Sequence, residues 1–476
     1  MPWRGFLLPA KDAKFCLGLE FSSGENATRF SEDGVDGRDR LLDRSIGLEQ
    51  EFFLVEESGE PSVRADEFLE RCRERSERDG DGKASCLAPE WVRGVVEINT
   101  PPVRSLADLE ERYAGNVRLA VRSAREIGLR LYPLGTYPLP LEPSVREEPG
   151  YQVQVLTVGP ERFMDAGRCA GTHLHLGLPE GTVDTESGLS PGASEPARRE
   201  LLDLYNLATA LDPALIFLTR SCPFYEGRAT GLTPRTARYR GSDAFDWDGV
   251  YRDLPEVGAL LPYARSPAHL VEQQFDRYRA WLAAMERAGV DLALFLDSGG
   301  DLLRPAWNPV RLNRQGTLEL RGMDSNLPGT TFAAVELVLS AAGRVTRENL
   351  TVTPDESVSD FEVDGERLLV PGFGRLGERL FYAAVAGEAD DPTITCYLDS
   401  VLDFAAGGGP RLEKLRLRRQ ATGLYPTTEG KILASRGPHD DRISGEEGRR
   451  LVLWACDELE GQISASEPVD GTPGIQ

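Results

Sequence analysis

The 476-residue sequence predicts an α+β fold built on a largely antiparallel sheet. Three observations lead there. Segments of strand periodicity alternate with segments of helical periodicity along the chain. Several strands carry charged or imidazole side chains at every second position, which the all-apolar strands of a buried parallel sheet do not. Hydrophobic residues make up 40% of the chain, enough for a core that needs neither disulfides nor metal to hold it.

The elements follow in order. Residues 22–44 are polar and Gly-rich and read as the end of a flexible lead-in over 1–44. Ile46–Val55 reads as a strand, with Gly at its entry and apolar residues spread along it. Gly94–Ile98 and Leu129–Leu134 are two more. Between them Ser105 and Asp108 form a capping pair that opens a helix over 106–127. Ala170–Leu178 and Thr317–Met323 complete the strands. Helical periodicity covers 197–211, ending at Asp212-Pro213. It returns at 267–288, 331–348 and 444–462. Stretches 178–197 and 352–366 look like insertions, and a flexible tail starts at about Ser464.

Charge excludes some functions. Lys+Arg is 54 against Asp+Glu 77, a net charge of −23, so there is no basic footprint for nucleic acid or for an anionic membrane surface. Most of the acidity reads as solvated surface. The seven Cys are scattered without a CxxC pair, which removes zinc-ribbon and thioredoxin readings and suits a reducing cytoplasm. No run reaches the ~18 apolar residues of a membrane span.

The chemistry lies in pairs two residues apart. Glu49 and Glu51 share one face of their strand, about 7 Å apart along it. Two such carboxylates repel unless a cation sits between them, and a hard divalent ion such as Mg²⁺ or Mn²⁺ takes oxygen ligands. His173 and His175 repeat the spacing, with Leu174 and Leu176 on the other face; they hold half of the four histidines in the chain. Glu319 and Arg321 form a third pair between Leu318 and Leu320, and Glu97 stands alone in an apolar strand. Carboxylates with an Arg on one face suit metal ions holding a polyphosphate.

The segments that carry these pairs resemble the glutamate–cysteine ligase family 2, the bacterial carboxylate–amine ligases of the glutamine-synthetase-like superfamily. The matching residues are Gly47-Leu-Glu49-Gln-Glu51-Phe52, Glu90 with Val96-Glu97-Ile-Asn-Thr100-Pro101, and Gly135-Thr136-Tyr137-Pro138. Gly171-Thr-His173-Leu-His175-Leu-Gly177, Ser221-Cys-Pro223 and Gly316-Thr317-Leu-Glu319-Leu-Arg321-Gly-Met-Asp324 complete the set, over about residues 45–345. The resemblance implies a glutamine-synthetase-like catalytic domain over 45–463, with a curved sheet and helices on its outer face. It implies ATP-dependent amide formation through an acyl phosphate, with small-molecule substrates, typically L-glutamate and L-cysteine, and with a homodimer left open. Glu49, Glu51, Glu97, Glu319 and His173 would hold metal, His173 would also contact nucleotide, and His175 would lie near the substrates. Arg321 would stabilise the phosphoryl group or bind the carboxylate substrate, and an Arg after Ser221-Cys-Pro would contact phosphate; Arg235 is the choice and Arg240 its rival. Tyr137 stands where many members have His, a departure that bears on the choice of acid or amine. A ligase for another acid or amine, or a non-catalytic metal- or nucleotide-binding protein on the same scaffold, are the alternatives.

Two features look functional without being so. Gly372-Phe-Gly374-Arg-Leu-Gly377 imitates a dinucleotide fingerprint, but Pro371 interrupts the strand-to-glycine step. His269, His439 and Cys222 sit in contexts that suit structural roles.

Overall fold

A computed structural model describes residues 44–407, 424–436 and 441–465. The lead-in before Arg44, His439 and the tail beyond Ala465 lie outside the described residues. The central sheet has seven strands: β1 Ile46–Glu56, β2 Leu87–Pro89, β3 Val95–Asn99, β4 Leu129–Tyr132, β5 Gly171–Gly177, β6 Val310–Asn313 and β7 Thr317–Asp324. Their order is β6-β7-β5-β1-β3-β2, with β4 beside the far half of β1, and every pairing is antiparallel. This is the expected α+β architecture.

Alternation separates the two faces. Leu48, Gln50, Phe52 and Leu54 of β1 are buried on one side, with Leu174 and Leu176 of β5 and Leu318 and Leu320 of β7. Helices α1 Leu106–Glu126, α2 Glu195–Thr219, α4 Pro328–Arg347 and α5 Gly445–Ala465 form the layer there, and α3 Pro267–Ala288 packs against α2. The capping pair is present: Asp108 N–H donates to Ser105 Oγ at 3.0 Å. Gln50 is the polar exception within the apolar face. Its amide donates to Ser325 Oγ and the Asn326 carbonyl, and its oxygen accepts from Tyr113 Oη at 2.7 Å.

Some boundaries differ from expectation. Helix α2 does not stop at Asp212-Pro213 but runs on to Thr219, because nearly all of it is core and tertiary burial outweighs the lost N–H. Among the described residues it is the helix long and apolar enough to cross a bilayer, yet 94% of its most apolar window is buried inside the protein. The final helix includes Ser464 and Ala465, which the sequence reading assigned to the tail. The stretch 352–366 is folded: strands β8 Thr351–Asp355, β9 Glu362–Asp364 and β10 Arg367–Pro371 form a small mixed sheet. The glycine run after Pro371 enters a π-helical turn, Arg375–Leu380, rather than a phosphate loop.

Candidate active site

The other face of the sheet gathers the period-two residues. Register places Glu49 opposite both Asn99 of β3 and His173 of β5, and Glu51 opposite Glu97. His175 lies opposite Gly47 on one side and Glu319 on the other. Arg311 of β6 lies opposite Glu319. The strands thus interleave the expected donors at neighbouring positions of one surface. A bulge in β7 between Leu320 and Met323 takes in Arg321.

Side-chain contacts make three overlapping donor groups: Glu49, His175 and Glu319; Glu49, Glu97 and His173; and Glu51, Glu90 and Glu97. Within each group the donor atoms lie within 4.8 Å of one another. Glu49 Oε2 is 3.2 Å from His173 Nδ1, and Glu49 Oε1 is 3.2 Å from His175 Nε2. Glu51 accepts the Gly171 N–H at 2.6 Å, which ties it to the start of β5. Asn99 Nδ2 donates to Glu97 at 2.9 Å, and His175 Nδ1 meets Thr317 Oγ1 at 2.9 Å.

The charges are unevenly balanced. Glu319 is fully buried and accepts from Arg311 Nε at 2.7 Å, Arg311 Nη2 at 3.1 Å, Asn313 at 2.5 Å and Arg321 at 2.5 Å. Burial opposes its ionisation, but Arg311 and Arg321 hold the carboxyl well below the usual range. At Glu49 burial again opposes ionisation, and the charge of His175 with hydrogen bonds from both histidines wins, so its pKa is low. His175 is disfavoured as a cation by burial, yet Glu49 and Glu319 raise its pKa. His173 goes the other way, since burial and Arg321 both lower it. At the opposite end, burial and the charge of Glu51 push the Glu90 carboxyl up to about 8. Burial, Glu49 and Glu90 raise Glu97 well above its ordinary value. Among the described residues no Lys or Arg lies within ion-pair distance of Glu90 or Glu97.

A divalent cation fits this arrangement. Three carboxylates, Glu51, Glu90 and Glu97, converge with Arg321 acting on them only from beyond ion-pair distance, an expensive configuration in a half-buried place. His173 Nε2 is buried without a hydrogen-bond partner and lies 3.9 Å from Glu51 Oε1. Carboxylate oxygens with a few imidazoles are the donor chemistry of Mg²⁺ and Mn²⁺ sites.

The two rival arginines part company. Arg240 makes a bidentate pair with Asp212 of α2, both contacts at 2.7 Å and both residues buried. Arg235 lies beside the first residue of β5: a Cβ on Gly171 would stand 2.1 Å from its Nη2, so only glycine admits the guanidinium there. Arg235 Nη2 donates to the Arg321 carbonyl at 3.2 Å, and its Nε has no partner. Arg321 Nη1 also meets His173 Nδ1 at 3.3 Å, and its Nε is likewise unpartnered.

The remaining motif segments brace the site. Gly135 N–H donates to Ser221 Oγ at 2.8 Å, and Ser221 Oγ contacts Asp324 Oδ2 at 3.1 Å. Tyr137 turns away and donates to the Gly59 carbonyl at 2.8 Å, so the residue that departs from the common pattern is a buried prop beyond the donor face. Cys222 is buried, with its thiol pushed up to about 11 by desolvation, as a structural thiol would be.

Sequence reasoning gave no role to Glu90, Arg311 or Asn313. Arg311 and Asn313 carry the same signal as the others, since Val-Arg-Leu-Asn alternates over 310–313. Glu90 has no such signal, because it follows β2 on an irregular stretch. A cavity of about 640 Å³ opens at the Glu49–His175 end, walled by Ile46, Leu87, Pro102, Leu178 and Val183. The first insertion therefore does shape the cleft.

Residues 45–379 match the glutamate–cysteine ligase family 2 (GCS2). A putative glutamate–cysteine ligase 2-1 of Saccharopolyspora erythraea is 31% identical over 194 residues, covering 40% of this chain and 44% of that protein's length. A glutamate–cysteine ligase of Haloquadratum walsbyi is 24% identical over 308 residues, 64% of this chain and 70% of the relative. Among solved structures, a glutamate–cysteine ligase of Francisella tularensis in complex with AMP superposes with a TM-score of 0.53 at 11% identity, over 90% of this chain and 91% of that one. A bifunctional glutathione synthetase of Pasteurella multocida gives 0.54 at 15% identity, over 89% of this chain and 54% of that one. At these identities the structural likeness is one of fold, and it is the glutamine-synthetase-like ligase fold that the motifs implied. With its motifs on one face of that fold and the match over 45–379, the chain belongs to the glutamate–cysteine ligase family 2.

Proposed function

We propose that this protein is an ATP- and divalent-cation-dependent carboxylate–amine ligase that joins L-glutamate to L-cysteine through an acyl phosphate. The observation that carries the reading is the set of three overlapping donor groups on one sheet face, bordered by Arg321 and Arg235. Glu49, Glu51, Glu97, Glu319 and His173 would hold Mg²⁺ or Mn²⁺, and Glu90 joins them. The ions would neutralise the phosphate oxygens of ATP.

The chain's own groups account for the rest. Arg321 is fixed by Glu319 and keeps Nε unpaired, so it can meet charge developing on the transferred phosphoryl group. Arg235, whose Nη2 donates to the Arg321 carbonyl, offers a second unpaired Nε, whereas Arg240 is committed to Asp212. His175, steadied by Thr317 and Glu49, stands where the cavity meets the donors and contacts bound substrate. In the first step an oxygen of the glutamate γ-carboxylate bonds to the γ-phosphorus and the bond to the bridging oxygen breaks, releasing ADP. In the second the amine nitrogen bonds to the acyl carbon, the bond to phosphate breaks and the amine loses a proton.

The test is ADP release from ATP with Mg²⁺, glutamate and cysteine, extended to a panel of acids and amines. Turnover that needs both an acid and an amine supports a ligase, and the best pair names its substrates. Tight ATP binding without turnover for any pair would overturn the reading in favour of a non-catalytic binding protein.

A further inference from the structure

Arg235 is a buried cation that no carboxylate of the described residues neutralises at close range. Its Nη2 donates to the Arg321 carbonyl at 3.2 Å, its Nε is without a partner, and Asp324 acts on it only from beyond ion-pair distance. What does hold it is an aromatic ring. Arg235 and Tyr239 lie four residues apart on the helix Pro234–Arg240, a spacing that brings side chains together on a helix. The guanidinium carbon of Arg235 stands over the Tyr239 ring, 5.6 Å from its centroid. Arg240 of the same helix shows the alternative: it rests on the Phe381 ring at 5.4 Å but is also paired with Asp212.

Tyr239 is itself fixed. Its ring meets Tyr251 edge-on, with centroids 5.6 Å apart, and Tyr251 stacks on Trp307 at 5.2 Å and 12°. Trp307 lies 4.8 Å from Trp281 of α3, and both Tyr251 and Trp281 are buried. The row of rings ends at the segment that anchors the other arginines of the donor face. The Ala306 carbonyl accepts from Arg311 Nη1 at 2.8 Å, and the Pro309 carbonyl accepts the Arg321 N–H at 2.7 Å. One set of packed rings thus fixes Arg235 relative to Arg311 and Arg321. A carboxylate in the place of Tyr239 would neutralise Arg235 and take up its N–H groups. A ring face attracts the cation and leaves those N–H groups free for a phosphate oxygen.

We propose that Tyr239 is a positioning residue: its ring holds the Arg235 guanidinium, still charged and with donors free, where it meets the phosphate of ATP. The inference rests on the ligase reading above and extends it to a residue outside the donor groups. It assigns the work to the ring and not to the hydroxyl, so Phe should serve in its place and an aliphatic side chain should not.

The experiment measures steady-state kinetics of the full chain with ATP, Mg²⁺, L-glutamate and L-cysteine. Tyr239→Phe and Tyr239→Leu are compared, each alone and combined with Arg235→Gln. Tyr239→Leu should lower kcat by about 3- to 30-fold, the range a cation–π contact allows, with KM for both amino acids within twofold. Tyr239→Phe should keep kcat within twofold of the unaltered chain. In the Arg235→Gln background the loss from Tyr239→Leu should shrink to less than twofold, because the ring has no cation left to hold. Tyr239→Met takes the place of Tyr239→Leu if that variant does not fold. A loss of less than threefold in Tyr239→Leu would overturn the inference while leaving the ligase reading intact. So would an equal loss in Tyr239→Phe, or a loss that persists undiminished beside Arg235→Gln. If the unaltered chain turns over no pair of acid and amine, the ligase reading falls, and calorimetric titration of ATP in Mn²⁺ decides. Binding weakened at least threefold by Tyr239→Leu and not by Tyr239→Phe upholds the positioning role, and equal or absent binding overturns it.

Discussion

Glu90 is where stability and function should oppose each other. Burial and Glu51 displace its carboxyl from 4.5 to about 8 in the metal-free protein. The native state therefore holds a proton that the unfolded chain gives up near 4.5. Stability then falls as pH rises from about 4.5 to about 8, the reverse of an ordinary ion-paired carboxylate. At about 1.4 kcal/mol per pH unit the ceiling is roughly 5 kcal/mol at pH 8. Partial exposure and sharing of charge among three carboxylates reduce this to about 2 kcal/mol. Glu90→Gln removes the charge with little change of shape. With an unfolding entropy of about 1 kcal/mol/K for a chain of this length, its Tm in EDTA at pH 8 should rise by about 2 °C. At pH 5 the gain should nearly vanish. Adding Mn²⁺ should stabilise the unaltered chain more than the variant, and turnover in Glu90→Gln should fall at least tenfold. Scanning calorimetry at both pH values, with and without metal, reads all of this. A lower metal-free Tm for Glu90→Gln at pH 8 would refute the reasoning, because it would mean that the three carboxylates are not in repulsion.

The other predictions separate activity from structure. Glu49→Gln and Glu97→Gln should each cut turnover by a hundredfold or more; in EDTA at pH 8 Glu97→Gln, like Glu90→Gln, should raise the Tm, Glu49→Gln should lower it by losing its pairing with the two histidines, and Glu319→Gln should lose activity and the most stability. That substitution leaves Arg311 and Arg321 without a carboxylate, at a cost of about 3–5 kcal/mol readable by denaturant titration. Arg240→Gln should destabilise by a similar amount, because it strands Asp212; Arg235→Gln should lower kcat and spare the Tm, and equal losses in the two variants would remove the distinction drawn between them. Metal addition near pH 7 should release about one proton or more per chain from Glu90 and Glu97, measurable in a weakly buffered pH-stat. Gly171→Ala should reproduce much of the Arg235→Gln defect, since its new methyl occupies the guanidinium's place.

Much of the site was legible because a strand repeats every two residues. The alternation of Glu49 with Leu48 and Gln50, or of His173 with Leu174, identifies a face without reference to the rest of the chain. What one strand cannot say is which partner lies beside it. The meeting of Glu51 with Glu97, and of Glu319 with His175, depends on registers set by long-range pairing. Glu90 stood among the family-matching residues but was given no role, because it comes from an irregular stretch where no strand period shows which way the side chain faces. Helix α2 was cut short because Pro213 is a sound local stop signal, and the burial that overrides it is not visible in a local window. Apart from Arg44, Ser464 and Ala465, the beginning and end of the chain, read as loose segments, lie outside the described residues.

Gln50 carries a last consequence. A strand that slips by one residue turns every side chain to the opposite face. Such a slip in β1 would drive Glu49 and Glu51 into the helix layer. Gln50 makes it costly, for its amide would abandon Tyr113, Ser325 and Asn326 together. The alignment of the charged face is thus written on the hidden side of the same strand. A substitution at Tyr113, which belongs to α1 and meets no substrate, would act on the reaction by loosening that alignment.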